Sequence, residues 1–308
     1  MAKRRSKGRD VHGIILLDKP GGLSSNQALQ KVKRIFDARK AGHTGSLDPL
    51  ATGMLPICLG EATKISGYLL NADKRYTATC KLGVRTDSAD ADGNVIATRA
   101  VPDLTETDIT QVLAQFTGEL QQIPPMHSAL KRDGVPLYKL AHQGIEIERE
   151  ARTITVYRLA LLNYRDDTLE IDVYCSKGTY VRTLVDDIGE TLGCGAHITA
   201  LRRLQVDPFE GKRMYTLEEL NTLQEQGVMA LDETLLTMEA GIANWPEVKL
   251  TADAAFYLRQ GQAVFVPQVK TSGYLRLHDP SGTFLGIGMM LDDGRIAPKR
   301  LMNLVKMG

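Results

Sequence analysis

His43-Thr44-Gly45-Ser46-Leu47-Asp48-Pro49-Leu50-Ala51-Thr52-Gly53 places one carboxylate, Asp48, in a loop of small and conformationally special residues. Gly45 and Gly53 can take backbone angles closed to other residues. Pro49 removes a backbone donor and biases Asp48 toward an extended conformation. The apolar run that follows, Met54-Leu55-Pro56-Ile57-Cys58-Leu59, anchors the loop to a core. A carboxylate on a stiff loop above a buried strand suits a nucleophile or a base. The same residues also spell an Asp-Pro turn, a common feature, and the loop alone does not separate the two readings.

The elements around the loop alternate between strand and helix. Residues 14–17 read as a short buried strand ending at Lys19-Pro20-Gly21-Gly22. Ser24 or Ser25 caps a helix whose apolar positions are Ala28, Val32, Ile35 and Phe36. A second short helix covers 61–70 and a strand covers 76–84. Ile109, Val112, Leu113 and Phe116 have helical spacing, with Gly118 as the stop. Residues 121–152 hold Pro124-Pro125, Gly134, Pro136 and Gly144 among many charges, and read as an inserted, partly mobile arm. Two strands, 153–164 and 168–176, flank the turn Arg165-Asp166-Asp167. Val181, Leu184, Val185, Ile188 and Leu192 mark an amphipathic helix closed by Gly193. Thr216-Leu217-Glu218-Glu219 fits a capping box. From about residue 250 short strands and turns take over, a small mostly-β module of roughly 60 residues. The organisation expected is a 1–249 domain carrying the 121–152 insertion, then a 250–308 domain.

Composition excludes several classes. The 308 residues are 43% apolar and 24% charged, with a net charge of +1, as in an ordinary globular protein. No apolar stretch approaches the roughly 18 residues of a membrane span. The basic start, residues 3–9, lacks the apolar run of a signal peptide, so a cytoplasmic protein is expected. Cys58, Cys80, Cys175 and Cys194 form no Cys-x-x-Cys pair, and the six histidines are scattered, so neither disulfides nor a metal site is expected. Ser88-x-Asp90-x-Asp92-Gly93 resembles the start of a calcium loop, but Arg99 stands where the final Glu belongs. Gly193-Cys194-Gly195 lacks the third glycine of a dinucleotide site, and no P-loop occurs. The expectation is a protein working without nucleotide, metal or redox cofactor. Positive clusters at 3–9, at Lys31, Lys33, Arg34, Arg39 and Lys40, and at Arg202 and Arg203 fit a basic face, although such runs are usually solvated surface.

One constellation stands out. Arg182 lies in the first turn of its helix, where a cation opposes the helix dipole, and at the edge of the apolar face beside Val185. A half-buried Arg there needs an anionic partner: Asp186 on the same helix or, more interestingly, Asp48. Tyr76 and Tyr180 lie among Lys74, Arg75, Lys177 and Arg182, an interleaving that suits base stacking as well as an ordinary core.

Longer motifs add a resemblance. Asp18-Lys19-Pro20-x-Gly22-x-Ser24-Ser25, Gly42 through Gly53, Asp73-Lys74-x-Tyr76, Cys175 through Leu184, Gly193-Cys194-Gly195-Ala196-His197 and Leu201-Arg202-Arg203-Leu204 resemble the bacterial tRNA pseudouridine-55 synthases of the TruB type, in order and over nearly the whole chain. The resemblance implies an α/β (α+β) fold: a mixed, largely antiparallel sheet flanked by helices, with a PUA-like RNA-binding domain at 250–308. It implies isomerisation of one uridine in the tRNA T loop to pseudouridine, with Asp48 as the catalytic aspartate. Asp48 acts either by adding to uracil C6 or by attacking or deprotonating the ribose. Tyr76 is then the residue that stacks on the flipped uracil, Arg182 the partner of Asp48, and Tyr180 and Leu201 the pocket lining. His43 fills or holds the loop left by the flipped bases, and Lys64 matches a supporting basic position. Residues 121–152 match the insertion that closes on RNA, although Met126-His127-Ser128 stands where relatives more often carry an aromatic. The partner implied is the T stem-loop of tRNA, bound by a monomer with no protein partner, membrane or cofactor. The alternative is a non-catalytic tRNA-binding or tRNA-folding protein using the same groove. A hydrolytic glycosidase needs a second carboxylate, and none stands out in the motifs.

Overall fold

The computed structural model describes residues 8–128, 130–141, 143–267, 269 and 271–303; the basic stretch before Gly8, and His142, lie outside them. The two apolar runs flanking the quoted loop pair with each other. Gly13–Lys19 forms β1, Ala41–His43 forms β2 and Thr52–Leu59 forms β3, with Lys19 opposite Gly53. β1 and β3 are buried on both faces, which is why they read as unbroken apolar runs.

β4 (Lys74–Leu82) alternates instead: Lys74, Tyr76, Ala78, Cys80 and Leu82 are buried on one face. It starts two residues before the expected strand, so Lys74 shares a face with Tyr76. β5 (Val84–Thr86) and β6 (Val95–Thr98) form a side hairpin, and β7 (Gly118–Gln122) follows. Within 121–152 sit the short hairpin β8 (Lys131–Arg132) and β9 (Val135–Pro136). The long strands β10 (Arg152–Arg165) and β11 (Thr168–Cys175), then β12 (Ala196–Val206), complete the main sheet. Its order is β1-β3-β12-β4-β11-β10-β7, with β2 beside β3. Only β3–β12 is parallel, so the expected mixed, largely antiparallel sheet is what forms.

The helices are α1 (Ser25–Ile35), α2 (Ser66–Leu69), α3 (Glu106–Gln115), α4 (Leu137–Ala141), α5 (Val181–Thr191), α6 (Leu217–Gln226) and α7 (Val228–Asp232). Capping boxes start α1, α3 and α6, from Ser24, Thr105 and Thr216. α5 buries Val181, Leu184, Val185 and Ile188 in the same core as Tyr76, Ala78 and Val173. The helix expected over 61–70 is split. The Thr63 and Ser66 hydroxyls each bond the carbonyl three residues back, and the backbone tightens into a 3₁₀ turn over Gly60–Lys64 before α2.

The C-terminal sheet begins at Glu247. It contains β13 (Glu247–Lys249), β14 (Val264–Phe265), β15 (Tyr274–His278), β16 (Phe284–Met290) and β17 (Arg295–Leu301), with helix α8 (Ala252–Arg259). Val248, Leu258, Leu275, Leu277 and Ile296 fill its own core. Phe284 and Ile287 instead join Ile14, Leu16, Met54 and Phe209 beneath the main sheet, so the two sheets share an apolar seam.

Candidate active site

The loop between β2 and β3 is fixed from several sides. Gly45 (φ 95°) and Gly53 (φ 97°) both take the left-handed backbone that glycine tolerates. At Gly53 space is also limiting: a Cβ would stand 2.2 Å from the Arg203 carbonyl oxygen, where β3 and β12 pair in parallel. Ser24 caps α1, which frees Ser25 to clasp the loop. The Leu47 amide donates to Ser25 Oγ at 2.7 Å, and that hydroxyl donates to the Leu47 carbonyl at 3.0 Å. Asp48 closes a turn, its carbonyl accepting from the Ala51 amide at 3.1 Å.

Beneath the loop lies Lys19, fully buried. Its ammonium donates to the carbonyls of Pro20 (2.9 Å), Leu23 (2.6 Å) and Pro49 (3.4 Å). Burial drops its pKa to about 8, and the charge of Asp48 opposes that drop.

Asp48 meets Arg182 across the pocket floor, Nε to Oδ2 at 3.0 Å. The guanidinium is buried and uses its other donors on separate elements: Asp90 Oδ2 at 3.1 Å, the Ser88 carbonyl at 3.0 Å and the His127 carbonyl at 2.7 Å. Asp186, the competing partner on the helix, is taken by Arg85 through two bonds of 2.8 Å. Loss of water to the pocket walls pushes the Asp48 carboxyl above its ordinary pKa; Arg182 pulls it back, and Asp90 pushes it up. The Asp48 side chain still keeps 42% of its surface open to the cavity.

The cavity measures about 520 Å³ and is lined by Asp48, Tyr76, Tyr180, Arg182, Leu201 and Arg203, among others. Tyr76 projects from β4 opposite Arg203 of β12, and its burial raises the phenol pKa. Arg203 is 1% exposed and forms no ion pair among the described residues. It donates to the carbonyls of Met54 (2.7 Å), Gly45 (3.2 Å) and Ser46 (3.5 Å), tying the loop to the sheet. Lys74, two residues before Tyr76, is likewise buried, with its pKa lowered to about 8 by lost hydration and by Arg203. Gln122 of β7 holds Tyr180 at both ends of its amide side chain, accepting from the Tyr180 amide at 2.8 Å and donating to its carbonyl at 3.1 Å.

Asp48, Tyr76, Tyr180, Arg182 and Leu201 thus converge, as the sequence suggested. Two other candidates do not line the cavity. His43 ends β2 behind the loop, where burial and Arg203 lower its imidazole pKa. Lys64 points away altogether: the 3₁₀ turn aims it at Glu61 (2.6 Å) and at the Leu301 carbonyl of β17 (2.7 Å), so it is a tie to the C-terminal sheet and not a pocket residue. Sequence reasoning missed Asp90, Arg203, Ser25 and Gln122. For Asp90 a signal existed, the Ser-x-Asp turn rejected as a calcium loop.

Residues 33–181 match the TruB family pseudouridylate synthase N-terminal domain. Residues 182–243 match the tRNA pseudouridylate synthase B C-terminal domain, and 246–302 match the pseudouridine synthase II TruB C-terminal domain. The chain is 55% identical over 300 residues to tRNA pseudouridine synthase B of Nitrosococcus oceani, covering 97% of each chain. It is 56% identical over 308 residues to the protein of that name from Aeromonas salmonicida, covering 97% of this chain and 96% of the relative. The fold overlays on the crystal structure of a Cbf5-Nop10-Gar1 complex with TM-score 0.73 and 27% identity, over 96% of this chain and 84% of that one. An H/ACA RNP bound to a substrate RNA containing 2′-deoxyuridine shares the fold alone, at TM-score 0.74 and 24% identity over 98% of this chain and 92% of that one. Given identities above one half over nearly the full length of its relatives, the chain belongs to the TruB family of pseudouridylate synthases.

Proposed function

We propose that this chain isomerises uridine 55 in the T loop of tRNA to pseudouridine, with Asp48 as the catalytic aspartate. The observation that carries the reading is the 3.0 Å contact between Arg182 and Asp48 on the floor of a cavity walled by Tyr76, Tyr180 and Leu201. A stacked uridine hides its reacting atoms, so it must be extruded at a cost of a few kcal/mol. Stacking on an aromatic ring returns about 1–3 kcal/mol per base, and phosphate contacts to basic side chains add to it. Tyr76 is the stacking ring; Tyr180 and Leu201 bound the pocket; His43 fills the space, or holds the loop, that the flipped bases leave.

Asp48 then adds to uracil C6, or attacks or deprotonates the ribose. Either route needs the ionised carboxylate, which Arg182 maintains against desolvation. The N1–C1′ bond breaks, the uracil turns while still held, C5–C1′ forms, and the C5 proton leaves. Holding the cleaved base makes its recombination effectively intramolecular. Reactant and product are isomers, so the reaction consumes no co-reactant, and the reading invokes no cofactor or metal.

The same reading assigns residues 1–249 to catalysis, with 121–152 closing on the RNA, and 250–308 to a PUA-like RNA-binding domain. The same reading takes the chain to act on tRNA as a monomer without a protein partner. The tRNA substrate puts the protein in the cytoplasm; no helix among the described residues is long and apolar enough to cross a membrane. The test is tritium release from C5-labelled uridine in a T-arm stem-loop. Wild type releases tritium, and Asp48→Asn binds the RNA without release. Release by Asp48→Asn sinks the assignment. Equal turnover of unstructured oligouridine sinks the T-loop specificity.

A further inference from the structure

A second cleft, of about 340 Å³, lies on the far side of the turn that precedes β4. Leu70 and Lys74 line the Asp48 cavity, whereas Asn71, Ala72 and Asp73 between them line this cleft. The three residues that separate the two lie in a turn and span at most about 10 Å, so one RNA molecule can reach both. The opposite wall comes from Trp245 and from Tyr274 on β15. Three rings meet there. Tyr68 stands edge-on to Trp245 at 5.0 Å between centroids and edge-on to Tyr274 at 5.2 Å. Trp245 and Tyr274 stack at 5.3 Å with planes 14° apart. Tyr274 is 39% exposed, so the stack is not sealed from solvent.

The lining selects its occupant. Flat, partly open rings suit a flat aromatic ligand. Asp73 and Asp207 line the cleft, and their negative charge repels a phosphate; the Asp207 oxygens accept from the Tyr174 hydroxyl at 2.8 Å and the Gln205 amide at 2.6 Å, so Asp73 is the carboxylate that favours an N–H donor on the ligand. The Asp73 carboxyl takes the Tyr157 hydroxyl and keeps acceptor positions in reserve. Cations stand close by: Lys177 donates to Asn71 Oδ1 at 3.0 Å, and the charge of Arg300 acts on the Tyr68 hydroxyl. An aromatic ring with an exocyclic amine, its anionic backbone kept near Lys177 and Arg300, meets these requirements together. We infer that this cleft binds one unstacked nucleobase carrying an exocyclic amine, from the same RNA whose uridine enters the Asp48 cavity. The inference rests on the tRNA reading proposed above.

Trp245 is the only tryptophan in the 308 residues, so its emission reports on this cleft alone. The full chain is titrated with a tRNA transcript and, separately, with short oligoadenylate and oligouridylate, while tritium release is measured on the same preparation. The tRNA and oligoadenylate are expected to quench Trp245 saturably, and oligouridylate, which lacks the amine, to act at least tenfold more weakly. Tyr274→Ala weakens the oligoadenylate effect about five- to 150-fold, as loss of one stacked base requires. Tyr274→Phe, which keeps the ring, retains it even if the Ala variant folds poorly. Asp73→Asn narrows the gap between the two oligonucleotides. Rings that serve only to join the two sheets predict emission indifferent to every RNA, and that result overturns the inference. Equal quenching by both oligonucleotides overturns the amine selectivity. Tritium release without any change in emission overturns the cleft and leaves the catalytic reading standing; no release at all overturns the catalytic reading itself.

Discussion

Replacing Arg182 by Met removes the guanidinium that touches both Asp48 and Asp90 while keeping most of the aliphatic stem. The three side chains carry a net charge of −1 in the native cluster and −2 without Arg182. Two unit charges about 4 Å apart interact by about 4 kcal/mol at an effective dielectric of 20. Asp48 is 42% exposed to the cavity, so water there screens the pair, and roughly half of that figure, about 2 kcal/mol, is the useful estimate. Losing that attraction raises the Asp48 pKa further, on top of the rise that burial already imposes. Both proposed routes stop when Asp48 is protonated. The acid limb of single-turnover tritium release therefore moves toward neutral pH in Arg182→Met. Removing one partner of a buried pair also costs about 3–5 kcal/mol of stability, so the variant is assayed below its melting temperature. Arg182→Lys separates charge from geometry. Its single nitrogen offers three donors to four acceptors on Asp48, Asp90, Ser88 and His127. The limb then returns toward wild type while the plateau rate stays low. An acid limb in Arg182→Met that coincides with wild type refutes the reasoning.

Other outcomes follow from single contacts. The raised pKa of Asp48 means that folding favours its neutral form; that stabilisation is complete below the unfolded pKa and lost as pH rises through the folded one. At neutral pH Asp48→Asn should therefore melt no lower than wild type, and a drop of more than about 3 °C contradicts the sign. Gly53→Ala drives a Cβ into the Arg203 carbonyl at 2.2 Å and should cost more than about 3 kcal/mol; an unchanged denaturation midpoint would show that β3 and β12 can part freely. Arg203→Met strands the carbonyls of Gly45, Ser46 and Met54, which should cost about 2–4 kcal/mol and lower the melting temperature by roughly 3–6 °C. Lys64→Ala frees the Leu301 carbonyl and leaves the Glu61 carboxylate bound to the Asn303 amide alone, so hydrogen exchange should quicken over 301–303; unaltered exchange there contradicts the tie.

The residues that were legible in sequence and those that were not divide along a physical line. β1 and β3 announce themselves because burial on both faces leaves unbroken apolar runs, and α5 because one face is buried. Arg182 was legible because a cation in the first turn of a helix, at the rim of its apolar stripe, has no local reason to be there. Arg203 offered no such anomaly: beside Arg202 it reads as a basic surface run. The strand period then separates the neighbours. Arg202 turns outward to Asp18 at 2.8 and 2.9 Å, and Arg203 turns inward with Leu201 to 1% exposure. The alternation was available, but nothing local says that carbonyls from 45, 46 and 54 will converge on the inward one. Asp90 is hidden for the same reason. Its short-range bonds, from Ser88 Oγ at 2.6 Å and the Asp92 amide at 3.1 Å, shape a turn like that of an incomplete ion loop. Its charge has meaning only once the turn is laid against α5. Lys64 departs in the opposite direction: near the pocket in motif order, it lies outside the cavity lining and bonds a carbonyl on the last strand. A charged side chain goes inside where acceptors from several elements meet, and that meeting is set by strand order. Here it depends on one parallel pairing, β3 against β12, and that pairing requires a residue without a Cβ at Gly53.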